Sequence, residues 1–240
     1  MGGHVIPALI ANVSMAMMAV RARALTNRGA VTMGVMGFWI YLVLDWRGYL
    51  VPIAFFVLGS LFTCIGYERK KERGAAEKGG GMRGVREVLA NGLVPLVITV
   101  PILTVDARLF TIGYVGAWAT ALCDTSATEL GGVWGRRCIH LRSLRTAAPG
   151  IPGAISLAGT AGGFAAAILL VLIAAGLGLV RMPLVAPIAA AALAASLLES
   201  LLAGLVPPAF GYRHESLNLF NTAIGGALAV MIGLWFSDMP

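Results

Sequence analysis

Apolar residues come in long runs separated by short polar stretches, and eight of these runs approach the length of a membrane helix. They cover roughly 5–20, 29–44, 50–67, 88–104, 109–122, 157–180, 183–205 and 217–236. A helix rises about 1.5 Å per residue and a hydrocarbon core is about 30 Å thick, so roughly 17–25 apolar residues cross it. The fifth run is short. It either extends into the polar segment that begins at Asp124 or ends there as a broken helix. The first run has no basic segment and cleavage site around it, and it reads as a retained helix rather than a signal. The pattern predicts an all-α, polytopic transmembrane bundle of about eight helices, a single domain over 1–240.

Composition agrees. Of the 240 residues, 58% are hydrophobic and 12% charged, with a mean hydropathy of +0.85, where a soluble domain carries about 25% charged residues. The net charge of +7 would suggest nucleic acid in a soluble protein. Here its distribution gives a simpler account. Arg21, Arg23, Arg28, the seven Lys and Arg residues between 69 and 86, Arg136, Arg137, Arg142, Arg145 and Arg213 fall on one side of the bundle. Only Arg47, Arg108 and Arg181 fall on the other. By the positive-inside rule the long loops face the cytoplasm of a cytoplasmic membrane and both termini lie outside. No nucleic-acid partner is expected. The segment 68–86, with alternating charges and the run Gly79-Gly80-Gly81, reads as a flexible cytoplasmic loop, and 123–156 as a cytoplasmic active-site loop. Three cysteines make no disulfide framework, and three scattered histidines have no metal-ligand spacing.

Ionisable residues inside apolar runs are costly and draw attention to function. Asp124 and Glu129 end the fifth run, with Thr125, Ser126 and Thr128 among them. They are five apart, about 140° around a regular helix, so they share one ion only if the helix unwinds there. Glu87 and Asn91, four apart, share a face where the fourth helix begins. Gly150 and Gly153 allow backbone to approach a ligand closely. Ser156 and Thr160 follow one turn apart at a helix start, where backbone N–H groups favour an anion. Glu199 is a lone acid in the apolar stretch 189–205, and Asn218 and Asn221 lie one turn apart on the eighth helix. All of these fall at the cytoplasmic ends of helices. A one-sided cluster suits a site facing a cytosolic substrate, whereas a carrier places polar groups nearer the midplane. Oxygen ligands and small residues beside a phosphate-sized space suit Mg²⁺ and a polyphosphate.

Several strings together resemble a widespread integral membrane family: Ala90-Asn-Gly92, Asp124-Thr125 with Glu129-Leu-Gly131, Pro149-Gly-Ile-Pro-Gly-Ala-Ile-Ser156, Glu199-Ser200 with Gly204, and Asn218 with Asn221. That family includes the plant chloroplast phytyl-phosphate kinase of the vitamin E pathway and uncharacterised prokaryotic and animal members. The similarity runs in order over nearly the whole chain. More distantly the chain is similar to dolichol kinase and to the cytidylyltransferases that make CDP-lipids. Two features depart from the pattern. The turn Gly150-Ile-Pro-Gly-Ala-Ile-Ser156 stands where the family has Gly-Thr-Ser-Gly-Gly-Val-Ser, and Glu199 stands where the family has Asp.

The resemblance implies Mg²⁺-dependent transfer of a phosphoryl group from CTP, or another nucleoside triphosphate, to an isoprenoid monophosphate held in the membrane. It implies Asp124, Glu129 and Glu199 as metal ligands. Asp124, Glu129, Glu87 and Arg145 become the expected catalytic set. Asn91, Thr125, Gly150, Gly153, Ser156, Thr160, Glu199, Asn218 and Asn221 become the nucleotide- and phosphate-binding set. Self-association is left open. Two alternatives stand beside the kinase: a CTP-dependent cytidylyltransferase acting on a lipid phosphate, and a transporter of lipids or small molecules.

Overall fold

A computed structural model describes residues 2–76, 78–205 and 214–237. Its described residues form eight α-helices: α1 (Gly2–Arg21), α2 (Asn27–Cys64), α3 (Tyr67–Glu72), α4 (Val85–Ile98), α5 (Ala107–Trp134), α6 (Leu157–Gly176), α7 (Val185–Ala203) and α8 (His214–Ser237). Five stretches are long and apolar enough to cross a membrane: Asn27–Cys64, Val85–Leu103, Leu157–Gly176, Met182–Ala203 and Glu215–Phe236. Large apolar side chains such as Ile6, Ile10, Val31, Val35, Met231 and Trp235 are exposed on the outer faces, as expected where lipid replaces water. Arg213, one of the basic residues used to orient the chain, lies outside the described residues.

The runs 29–44 and 50–67 are the two arms of α2. The helix breaks at Asp45, whose φ of 59° and ψ of −175° are not helical. Such a backbone is uncommon for a residue with a Cβ, and here it reverses the chain. The reversal is visible at Arg83. A Cβ at Gly29, in the first arm, would lie 2.8 Å from the Arg83 carbonyl oxygen, and a Cβ at Gly59, in the second, 2.9 Å from an Arg83 guanidinium nitrogen. Thirty residues of straight helix would hold these two glycines about 45 Å apart. The bend is tied to the core by Tyr114, whose buried hydroxyl donates to the Gly48 carbonyl at 2.9 Å.

α5 is the axis of the bundle, packed by α2, α4, α6, α7 and α8. Every residue from 111 to 124 is buried. Small side chains on its faces let neighbours approach to backbone contact, the packing mode open to helices in lipid. On one face Gly225 of α8 sits against Thr120, where a Cβ would come within 1.8 Å of the threonine hydroxyl. On another, a Cβ at Gly163 of α6 would come within 2.5 Å of the Cys123 carbonyl. The short fifth run therefore does not end at residue 122. It continues unbroken as helix to Trp134, so residues 123–134 of the expected active-site loop are helical.

A three-stranded antiparallel sheet that the all-α expectation did not include follows α5. Strands β1 (Cys138–His140), β2 (Arg145–Ala147) and β3 (Ala154–Ser156) lie in the order β2-β1-β3. Cys138 pairs with Ser156 on one side and Ala147 on the other. With three residues per strand, the sheet serves to fold the chain back over the end of α5 and deliver Ser156 to the start of α6.

The expected flexible loop 68–86 is anchored at both ends. Arg73 donates to the carbonyls of Gly132 and Val133, each at 3.1 Å, at the C-terminus of α5. A cation there also complements the helix dipole. At the other end Arg83 N donates to Ala24 O and Thr26 N to Arg83 O, both at 3.0 Å.

Candidate active site

The last turns of α5 separate two polar cavities, and Asp124 and Thr128 line both. The first cavity, of about 160 Å³, is walled by the 149–156 turn and by Thr160, Ser196, Glu199 and Ser200. The second, of about 210 Å³, is walled by Arg83, Glu87, Asn91, Thr125, Glu129, Glu215 and Asn218. One helix thus carries Asp124 to a partition between two chambers.

In the first cavity Asp124 and Glu199 are each only 6% exposed. Ser196, one turn before Glu199 on α7, donates to Asp124 Oδ1 at 3.2 Å. The glycine turn forms another part of the lining. Gly150 and Gly153 have φ of 83° and 80°, a region that L side chains rarely adopt. A Cβ on Gly153 would also meet the backbone of Gly204 and Ser200 at 2.8–2.9 Å. The turn is therefore pressed against the end of α7. Ser156 caps α6, its hydroxyl accepting from Gly159 N at 3.1 Å, and Thr160 lies one turn further in. Cys138 is a buried part of the same wall, and burial pushes its thiol above the usual range, opposed by the charge of Arg73.

The second cavity holds Thr125, the opening of α4 and the start of α8. The Glu87 carboxylate accepts from Gly84 N at 2.8 Å and so caps α4, while the Asn91 amide donates back to Glu87 O at 3.0 Å. Glu129 is 2% exposed and forms an ion pair with Lys70 of α3. The Lys70 ammonium is wholly buried and donates also to Thr63 O at 2.7 Å and Phe62 O at 3.2 Å, at the end of α2. The second Glu129 oxygen has no hydrogen-bond partner among the described residues.

Most of the expected residues come together around Asp124. Gly150, Gly153, Ser156, Thr160 and Glu199 line the first cavity; Glu87, Asn91, Thr125, Glu129 and Asn218 line the second. Asn221, one turn from Asn218, is 1% exposed and lines neither. Arg145 is not brought in. It lies exposed in β2, carried away from α5 by the sheet. Asp124 and Glu129, on an unbroken helix, both line the second cavity but differ in partner, Ser196 bonding to the first and Lys70 pairing with the second. Sequence reasoning missed Lys70, Arg83 and Ser196. Ser196 had a signal, a hydroxyl three residues before a lone acid in an apolar helix. Lys70 sits in Glu68-Arg-Lys-Lys-Glu72, where nothing distinguishes it from its neighbours.

The match to the family model of the integral membrane protein DUF92 runs over residues 10–231, nearly the whole chain. The chain belongs to the DUF92 family. Among its relatives is an uncharacterized membrane protein of Synechocystis sp., 33% identical over 202 residues that cover 82% of this chain and 78% of the relative. An uncharacterized membrane protein of Methanocaldococcus jannaschii is 29% identical, covering 91% of this chain and 90% of the relative. Protein VTE6, chloroplastic, of Arabidopsis thaliana is 27% identical, covering 85% of this chain and 65% of its own length. No solved structure matches the chain.

Among the described residues no three His, Cys, Asp or Glu side chains gather as a metal cluster. Mg²⁺ in a nucleotide site needs no such cluster. It is held by one or two carboxylates together with substrate phosphates and water. Asp124 and Glu199, two buried carboxylates lining one cavity with a glycine turn, fit that requirement.

Proposed function

We propose that this DUF92 protein is a membrane-embedded prenyl-phosphate kinase that moves the γ-phosphoryl group of CTP, or another nucleoside triphosphate, onto an isoprenoid monophosphate. The observation that carries the reading is the position of Asp124, a buried carboxylate on the partition between two polar cavities. Two chambers meeting at one charged point suit a transfer between two phosphate-bearing substrates. Relationship to VTE6, taken with the family resemblance to phytyl-phosphate kinase, supports the same class of reaction.

Phosphoryl transfer asks the protein mainly for positioning and charge neutralisation. An oxygen of the acceptor monophosphate attacks the γ-phosphorus, the bond from that phosphorus to the β–γ bridging oxygen breaks, and the nucleoside diphosphate leaves. The attacking phosphate is already anionic and needs no strong base. Bound Mg²⁺ would neutralise polyphosphate charge, with Asp124 and Glu199 as its protein ligands. Ser196 holds the Asp124 carboxylate in place through its hydrogen bond. The 149–156 turn offers backbone, and Thr160 and Ser200 offer hydroxyls, to the phosphates. Basic loops flanking these cavities support a site that opens to the cytoplasmic face of the membrane under the positive-inside rule.

The test is turnover by purified protein in detergent with Mg²⁺, CTP or ATP, and phytyl or geranylgeranyl monophosphate. Prenyl diphosphate and nucleoside diphosphate should appear together, and Asp124→Ala should abolish both. Pyrophosphate release would instead make the protein a nucleotidyl transferase. No turnover by folded protein across several prenyl phosphates would remove the kinase reading.

A further inference from the structure

The two polar cavities have different surroundings, and the difference assigns them. The cavity holding Arg83 borders an apolar groove lined by the two arms of α2, by α4 and by Trp118 of α5. Arg83, Glu87 and Asn91 line both spaces, so the polar chamber and the apolar groove meet at these three residues. From the junction the groove passes Gly92 and the methionines Met15, Met33 and Met36. The chamber on the glycine-turn side has no such extension among its lining residues.

Resting on the kinase reading, we propose that the Arg83 chamber takes the phosphate of the isoprenoid acceptor and the groove takes the first part of its chain. The nucleotide then occupies the glycine-turn chamber, and the two meet across Asp124. The chemistry at the junction fits a lipid monophosphate. Arg83 is only 8% exposed. Its guanidinium lies 5.5 Å from the Phe55 ring and 5.6 Å from the Phe56 ring, which fixes a cation at the boundary between polar and apolar walls. An arginine so placed presents a planar fork suited to phosphate oxygens. Gly59 makes room for it, since a Cβ there would sit 2.9 Å from a guanidinium nitrogen.

The enclosed part of the groove is small, about 60 Å³, and suits the isoprene unit next to the phosphate rather than a whole C20 chain. The wall facing that space is adaptable. Methionine is unbranched and flexible, and the Met36 methyl lies over Gly92, where a Cβ would approach it to 2.7 Å. Movement of Met36 lengthens the groove without moving backbone.

The experiment uses full-length protein and a geranylgeranyl monophosphate analogue bearing a diazirine on its first isoprene unit. After irradiation, labelled peptides should map to α2 and α4. Labelling should fall about tenfold in Met33→Trp, which fills the groove, the loss expected for displacing one or two buried carbons. In turnover, Met33→Trp should raise KM for the prenyl acceptor about tenfold and leave KM for the nucleotide where it was. Labels confined to other faces of the wild-type protein, or labelling and acceptor KM untouched by the filling substitution, would overturn the assignment. The two readings fail separately. Groove labelling with no turnover would remove the kinase and keep an isoprenoid-phosphate site, whereas turnover with labels elsewhere would keep the kinase and remove the groove.

Discussion

The Lys70 ammonium and the Glu129 carboxylate form an ion pair buried from solvent, joining the short helix α3 to the last turns of α5. Removing one partner of such a pair strands the other charge and costs about 3–5 kcal/mol, whereas replacing both with apolar groups is often close to neutral. Lys70→Met alone should therefore lower the unfolding free energy in detergent by about that amount, and Lys70→Met combined with Glu129→Leu should recover most of it. Equal destabilisation in the single and double variants would mean that the pair is not what ties α3 down.

The glycine turn makes a sharper steric prediction. Gly153→Ala places a Cβ both at positive φ and within 3 Å of the Gly204 backbone, so it should destabilise by about 1–3 kcal/mol and disturb nucleotide turnover. Gly34→Ala is the control. It lies in the first arm of α2 with open space around it, and should stabilise by roughly 0.5–1 kcal/mol. Thermal unfolding of the two variants side by side checks both.

Asp124 and Glu199 stand out in the chain alone because an acid in an apolar run is too costly to face lipid, and their positions near the ends of alternating apolar runs place both at the same end of the bundle. The extent of α5 is not legible. Thr125, Ser126, Thr128 and Glu129 interrupt the apolar pattern while the helix continues among protein neighbours rather than lipid. Nor is the sheet, whose three-residue strands carry no usable alternation. Lys70 and Arg83 are hidden by their charged neighbours, since only tertiary contact selects which charge of a crowded loop is buried. Arg145 misleads for the converse reason: it is close in sequence to the glycine turn, and the β1–β2 reversal takes it away.

Arg145→Ala should leave turnover within about twofold of the parent, the range of an exposed substitution away from special contacts. A large loss would place Arg145 in the site despite its exposed position.

Ser196 is expected to act through Asp124. Outer partners of metal ligands typically contribute 10–100-fold in affinity or activity. Ser196→Ala should therefore raise the Mg²⁺ concentration for half-maximal turnover by about tenfold or more, and added Mg²⁺ should restore much of the rate. Asp124→Asn should not be rescued at any Mg²⁺ concentration. A Ser196→Ala enzyme with an unshifted Mg²⁺ requirement would assign the hydroxyl a packing role only.

The most direct measurement follows the phosphorus atom. Purified protein would be given geranylgeranyl monophosphate, Mg²⁺ and CTP labelled at either the γ or the α position, and the lipid product would be isolated. Label should enter the prenyl diphosphate from γ-labelled CTP alone, with CDP released and the transfer absent in Asp124→Asn. Lipid carrying the α label with pyrophosphate released, or no labelled lipid from either nucleotide, would contradict the kinase reading.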